Sequence, residues 1–375
     1  MIYLDHNATT PVCPQAREAM APFFGAWFGN PSSPYPLGRR AKACLESARE
    51  RVAKALGALP EEIVFTSGGT ESDNMAVFGG VAALKKKGGH VITTAIEHPA
   101  VTSPALFLLN NGHDVTFVPV DSLGLVDPDQ IQAAIRPDTV LISVMHANNE
   151  TGVLQPVEKI AALAKKAGAL FHTDAAQSVG KVPVDVAEMG VDLLTVAGHK
   201  LYAPKGVGVL YIRKGAPVAP LLHGGGQENG MRPGTENVAL ASGLAAALET
   251  VTAGLEADAQ RMQYLRDRLF GLLQEKVPGI LLNGHPEKRL PNTLNVSFPG
   301  VNGEDILAAS PDLCASTGAA CHGGSTRVSH VLAAMRLPMD RARGAVRLSL
   351  GRRTTAREVE KAAGILARAY FGLTP

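Results

Sequence analysis

The sequence predicts an α/β protein built on a mostly parallel seven-stranded sheet, with a smaller α+β unit beside it. Three observations carry that reading. Short apolar runs rich in β-branched residues recur at 63–66, 91–94, 115–118, 140–144, 169–173, 193–196 and 208–212 and alternate mostly with helical or loop segments. The polar residues of chemical interest sit just past those runs, where parallel sheets place their ligands. Beyond them, an amphipathic helix leads into a second, shorter set of strands.

Length and composition set the bounds. A chain of 375 residues is long enough for two domains and a large core. Hydrophobic residues make up 46% and aromatics 5%, the profile of an ordinary soluble enzyme. A formal net charge of +2 gives no reason to expect nucleic acid or a membrane surface as partner. No apolar run approaches the roughly 18 residues that span a bilayer. The opening residues, Met1 to His6, show no basic segment followed by an apolar stretch, so no signal peptide is expected. Cys13, Cys44, Cys314 and Cys321 are scattered without metal-type pairing, so no metal site is expected and a reducing cytoplasm is.

In chain order, residues 1–12 read as a short strand and a turn. A loop from Gly29 to Pro34 precedes a helix of Ala, Arg and Glu from about Arg39 to Leu56. The seven sheet runs follow. Residues 214–240, rich in Gly and Pro, read as a long functional loop. The segment 256–276 places Met262, Leu265, Leu269, Leu272 and Leu273 on one face of a helix. Runs at 292–298 and 346–350 and a final helix near 355–370 complete the smaller unit. The expected division is 13–254 for the large domain, and 1–12 with 255–375 for the small one.

The chemistry centres on Leu193 to Gly208. A buried strand, Leu193 to Val196, breaks at Gly198 and delivers His199 and Lys200 into a loop. An amine at the mouth of a buried strand is costly to desolvate and tends to lose its proton, which makes Lys200 a candidate nucleophile. A solvated loop lysine is the ordinary alternative. Three other residues displace it. Asp174 ends a strand where an unpaired carboxylate would be expensive, and a pyridinium nitrogen would pair it. Gln177, three residues on, would donate to a ring phenolate. His98, past strand 91–94, would stack on a ring and move protons. Together these look like a pyridoxal phosphate site with Lys200 as its Schiff-base residue.

Other stretches serve the same rim. Ser67-Gly68-Gly69-Thr70-Glu71-Ser72 follows a strand and opens a helix, a cradle for phosphate. The turn Asn148-Asn149-Glu150-Thr151-Gly152 supplies neutral donors. Arg347 alternates with Val346 and Leu348, and is either a solvated edge residue or a bidentate clamp for an amino-acid carboxylate. Cys321 lies among small residues from Ala315 to Thr326, unlike structural cysteines, and reads as a reactive thiol.

These motifs, with Leu4-Asp-His-Asn-Ala-Thr-Thr-Pro11, Gly198-His-Lys200, Arg232-Pro-Gly-Thr235 and Arg347-Leu-Ser-Leu-Gly351, resemble the cysteine desulfurases of the class V aminotransferase fold, of the NifS/IscS type. The resemblance spans essentially the whole chain. It implies the fold type I of pyridoxal phosphate-dependent transferases, and a homodimer that removes sulfur from L-cysteine, yielding L-alanine and a persulfide on Cys321 for a sulfur-acceptor protein. By it, Lys200 forms the Schiff base, His98 stacks on the ring, Asp174 meets the pyridine nitrogen and Gln177 the phenolic oxygen. Gly69, Thr70 and His199 would hold the phosphate, Thr235 would come from the neighbouring subunit, and Asn149 would contact cofactor or substrate. Arg347 would bind the substrate carboxylate. The loop bearing Cys321 would belong to the small domain.

Three departures stand out. Ala197 occupies the place of a usual phosphate-binding serine. Cys321-His322 and Arg327-Val328-Ser329 replace the usual residues of the thiol loop. The chain stops soon after Tyr370, without the longer tail that docks the iron–sulfur scaffold in housekeeping members. Gly-Ala-Ala-Cys-His around Cys321, Asn30 to Tyr35, and Gly224 to Glu228 resemble selenocysteine lyases, the alternative reading. The spacing from Cys321 to Ser329 matches the desulfurase loop and favours cysteine. An aminotransferase or a cofactor-free binding module is the more distant alternative.

Overall fold

The computed structural model describes residues 1–84, 89–317 and 328–374. Its strands, in chain order, are β1 (Ile2–Tyr3), β2 (Ile63–Thr66), β3 (His90–Thr94), β4 (Val115–Val118), β5 (Thr139–Ser143), β6 (Leu170–Asp174), β7 (Leu193–Ala197), β8 (Gly208–Ile212), β9 (Leu281–Leu282), β10 (Thr293–Ser297), β11 (Leu313–Cys314) and β12 (Ala345–Ser349). The seven expected runs fall on β2 to β8, within one residue at either end.

Those seven strands form one sheet in the order β2-β8-β7-β6-β5-β3-β4. All neighbours from β7 to β4 are parallel, and β8 alone runs against its neighbours. The carboxyl ends of the other six strands therefore share one edge. Successive side chains feed opposite layers, as the two-residue period of a strand requires. Val91, Leu141 and Leu170 pack against Val77, Val101 and Leu108 on one side. Ile92, Ile142 and Phe171 join the main core on the other. Burial on both faces is why the sequence shows continuous apolar runs instead of alternation.

The helix Pro36–Leu56 starts with proline in its first turn and stops at Gly57, whose φ of +70° is the left-handed conformation that ends helices. It packs against Val238–Ala253, which no amphipathic pattern announces because it is apolar almost all round and buried along most of its length. The helix Leu255–Lys276 then carries the chain to the antiparallel strands β12-β10-β9. A separate apolar cluster forms there. Ile2 and Leu4 join Leu269, Leu273, Leu294, Phe298, Leu348 and Leu366 in it. The N-terminus reaches this cluster because β1 pairs in parallel with β11.

One buried ion pair fixes the long loop on the site side of the sheet. Arg49 donates to both carboxylate oxygens of Glu228, at 2.7 and 2.8 Å, and to the carbonyl of Ile63 at 2.7 Å. Glu228 also accepts the Phe65 amide at 2.9 Å. Glu228 adopts φ +49°, a strained conformation for a side-chain-bearing residue that persists because these bonds over-determine it. Removing one partner strands the other charge, so Glu228→Gln is expected to destabilise the protein by about 3 kcal/mol in urea unfolding. A loss under about 1 kcal/mol would show that water reaches the pair.

Candidate active site

The aligned strand ends deliver the site. After β7 the chain turns through Gly198–Lys200 and presents His199 and Lys200. Lys200 is half-buried, not engulfed as the sequence suggested. Its Nζ donates to the carbonyls of Asn7 at 2.6 Å and Ala8 at 2.8 Å.

Asp174 is the last residue of β6 and is buried. Its Oδ1 accepts the Ala176 amide at 2.8 Å. Burial raises its pKa above the ordinary carboxylate range, while His98, the Ala176 amide and Lys200 pull it down. His98 caps the helix Pro99–Asn110, accepting the Ala100 amide on Nδ1 at 3.1 Å. Burial lowers its pKa despite the field of Asp174, so the imidazole is neutral at neutral pH. The Nδ1 of His199 meets Thr9 Oγ1 at 3.2 Å, and burial followed by Lys200 pushes this imidazole down to about 4.

At the end of β2 the helix Gly69–Asn74 opens without a side-chain cap and continues through the π turn Met75–Gly79 and Gly80–Ala83. The first amides of such a helix have no partner within it and face an incoming anion. A methyl placed on Gly69 would lie 3.2 Å from the Ala197 Cβ. The glycine thus lets the helix start sit close against the end of β7.

The turn after β5 depends on Asn148, which caps the amides of Glu150 and Thr151 at 2.9 Å each. Gly152 closes it with φ +78°, where a side chain would meet Thr293 at 2.8 Å. Asn149 contributes its carbonyl, which accepts from Arg347 at 3.0 Å and from Asn7 at 3.2 Å. Arg347 is buried, not a solvated edge residue. It also pairs with Asp5 at 2.7 Å, and its Nε has no hydrogen-bond partner among the described residues. Gln177 is buried, with Nε2 donating to the Asn7 carbonyl at 3.0 Å. Thr235 lines a cavity of about 220 Å³ together with Ser67, Gly206 and Arg232. Arg232 pairs with Glu71 at 2.9 Å. Cys321 lies outside the described residues.

Sequence reasoning missed the residues behind this front. Asn7 is 1% exposed, and its polar atoms bridge six residues: Ser349, Thr293, Asn149, Asn292, Gln177 and Lys200. Lys181 is buried four residues after Gln177 and donates to its carbonyl at 2.9 Å and its Oε1 at 3.0 Å. A lone lysine between Gly180 and Val182 was the available signal. Glu97 is fully buried. It accepts from Thr94 Oγ1 at 2.6 Å and the Met145 amide at 3.0 Å, and burial drives its pKa up to about 8. Asp73 lies 3.5 Å from His172 Nε2 and is pushed well above the carboxylate range, first by burial and then by Asp174.

The aminotransferase class-V family model matches residues 2–362. Cysteine desulfurase IscS of Dictyoglomus turgidum (strain DSM 6724 / Z-1310) is 47% identical over 369 residues, covering 98% of this chain and 94% of that protein. Cysteine desulfurase IscS of Methanosarcina thermophila is 48% identical over 363 residues, covering 96% and 89%. A solved NifS-like protein superposes with a TM-score of 0.93 at 39% identity, covering 99% of this chain and 100% of that one. With the strand-end lysine, carboxylate and histidine where the motifs place them, the chain belongs to the aminotransferase class V family, among its cysteine desulfurases of the NifS/IscS type.

Proposed function

We propose that this protein is a pyridoxal phosphate-dependent desulfurase acting on L-cysteine, with Cys321 as sulfur acceptor. The observation that carries the reading is the convergence of Lys200, Asp174, His98 and Gln177 on one edge of the sheet. The donor set fits the cofactor. A buried carboxylate suits a protonated ring nitrogen, an uncapped helix start suits a phosphate, and an amine suits an aldehyde. Gly69 and Thr70 would hold the phosphate with His199, and Thr66 Oγ1 bonds Ser72 Oγ at 2.8 Å behind them. Ala197 brings no hydroxyl, so backbone amides carry more of that contact.

Bound pyridoxal phosphate supplies a carbonyl for Schiff-base linkage and a sink for the electrons of a substrate Cα–H bond. The protein's residues do the rest. Asp174 holds a proton on the ring nitrogen. Neutral His98 stacks on the ring and exchanges a proton with the substrate. Lys200 leaves the Asn7 and Ala8 carbonyls and moves a proton at the substrate Cα. Arg347 and Asn149 orient the substrate carboxylate. The Cys321 thiolate then attacks the substrate sulfur. A bond forms between the two sulfurs, the substrate Cβ–S bond breaks, and alanine leaves after protonation at Cβ. The persulfide passes to a sulfur-acceptor protein, in iron–sulfur cluster biogenesis or another sulfur pathway.

We further propose a division into a cofactor-binding domain, 13–254, and a smaller one, 1–12 with 255–375. The second apolar cluster, which lies wholly within 1–12 and 255–375, supports it, while Val331, Leu332, Met335, Ala342 and Ala345 pack into the first. A homodimer in a reducing cytoplasm is the proposed state. Exposed Phe24, Phe28 and Tyr35 support the dimer. Among the described residues no single helix is long and apolar enough to cross a membrane.

Lys200→Ala is expected to lose the visible band of the bound cofactor and all measurable alanine release. Turnover at the wild-type rate would end the Schiff-base assignment. Cys321→Ala is expected to lose L-cysteine turnover while still cleaving L-selenocysteine, because an ionised selenol needs no attacking thiol. A wild type that barely uses cysteine but cleaves selenocysteine fast would support a selenocysteine lyase instead. Sedimentation of the active, cofactor-loaded protein should give twice the chain mass, and an active monomer would sink the proposed role of Thr235 across subunits.

A further inference from the structure

Lys181 carries no role in the reaction as described, yet it is buried beside the site at 5% exposure. Among the described residues no carboxylate lies within ion-pair distance of its Nζ. The charged and titratable groups that act on it or feel it are all basic: Lys200 after β7, Arg347 on β12, and the imidazoles of His6 and His199. A buried amine without an acid is expensive. Its two bonds run to one residue, Gln177.

Those bonds decide how the Gln177 amide sits. An ammonium presents only N–H toward Gln177, so it must face Oε1. The Asn7 carbonyl presents only lone pairs, so it must face Nε2. Turning the amide over would set donor against donor and acceptor against acceptor, in a place where water cannot repair either mismatch. The same Asn7 carbonyl takes Lys200 at 2.6 Å. Lys181, Gln177, Asn7 and Lys200 therefore form one chain of hydrogen bonds.

We propose that Lys181 is the positioning residue for Gln177, fixing the amide so that its remaining N–H is presented to the cofactor's ring oxygen. The inference rests on the pyridoxal phosphate reading above. It assigns Lys181 no contact with cofactor or substrate. The charged form offers no acceptor and locks the amide, whereas the neutral amine gains a lone pair and holds the orientation less strictly. Burial, Lys200 and Arg347 bring that proton loss down to about 7.

The test has two arms. In cofactor-free wild-type protein labelled with 15N-glutamine, the Gln177 side-chain signals, identified by their loss in Gln177→Glu, are expected to move with pH around 7. In Lys181→Met that movement should vanish. In the loaded protein, Lys181→Met should weaken pyridoxal phosphate binding by about tenfold and displace the visible band, the loss of one well-placed hydrogen bond. Lys181→Gln, which keeps an N–H donor without charge, should recover part of the affinity. Variants that bind and absorb as wild type, with Gln177 signals indifferent to pH in the wild type, would overturn the inference. A wild type that never acquires a cofactor band would instead sink the pyridoxal phosphate reading, and the cofactor-free arm would still decide whether Lys181 governs Gln177.

Discussion

The site depends on the Asn7 carbonyl more than on any catalytic side chain. It accepts from Lys200 and Gln177 together, and it can do so because the rest of Asn7 is pinned from other directions. Its amide donates to Ser349 Oγ at 2.9 Å, its Nδ2 to Thr293 Oγ1 at 2.9 Å, and its Oδ1 accepts from Asn292 at 3.0 Å. A carbonyl fixed this way is a preorganised acceptor, oriented before any ligand arrives. It also joins the parallel sheet to the antiparallel one. The strands that present Lys200 and Asp174 belong to the first, and those that present Arg347 and Ser349 to the second.

Electrostatics then divides the labour among the acids. Asp73, Glu97 and Asp174 are all buried near one another, and three carboxylates in so small a volume cannot all be charged. Burial and the field of Asp174 push the Asp73 carboxyl well up, and burial drives Glu97 to about 8 against the pull of its hydroxyl and amide donors. Asp174 has the two basic neighbours, His98 and Lys200, that favour an anion. Its charge is thus set as much by what lies behind it as by what would bind in front.

Much of this was legible in the sequence. The sheet strands were, because burial on both faces leaves an unbroken apolar run that ends abruptly at Asp174 or Gly198. Arg347 was, because it interrupts such a run. The helix Val238–Ala253 was not, since a segment apolar all round has no period to detect. Asn7 lay inside a noted motif, yet its partners sit near residues 149, 177, 200, 292 and 349, and only the fold brings those together. Lys181 looked like any surface lysine until its burial was visible. Thr235 was assigned to a neighbouring subunit's site by resemblance alone, because no local pattern tells which subunit's site it serves.

The parallel pairing of β1 with β11 has a consequence for the birth of the protein. Residues 2–10 leave the ribosome long before Leu313, Cys314 and Ser349 that anchor them. At about 5–20 residues per second, the N-terminal segment waits roughly 20–70 s for its partners. Throughout that interval the Asn7 carbonyl is not yet held in place by Ser349, Thr293 and Asn292. Assembly of the site is thereby deferred until those strands have been made, and a chain truncated before β12 lacks Arg347 and Ser349.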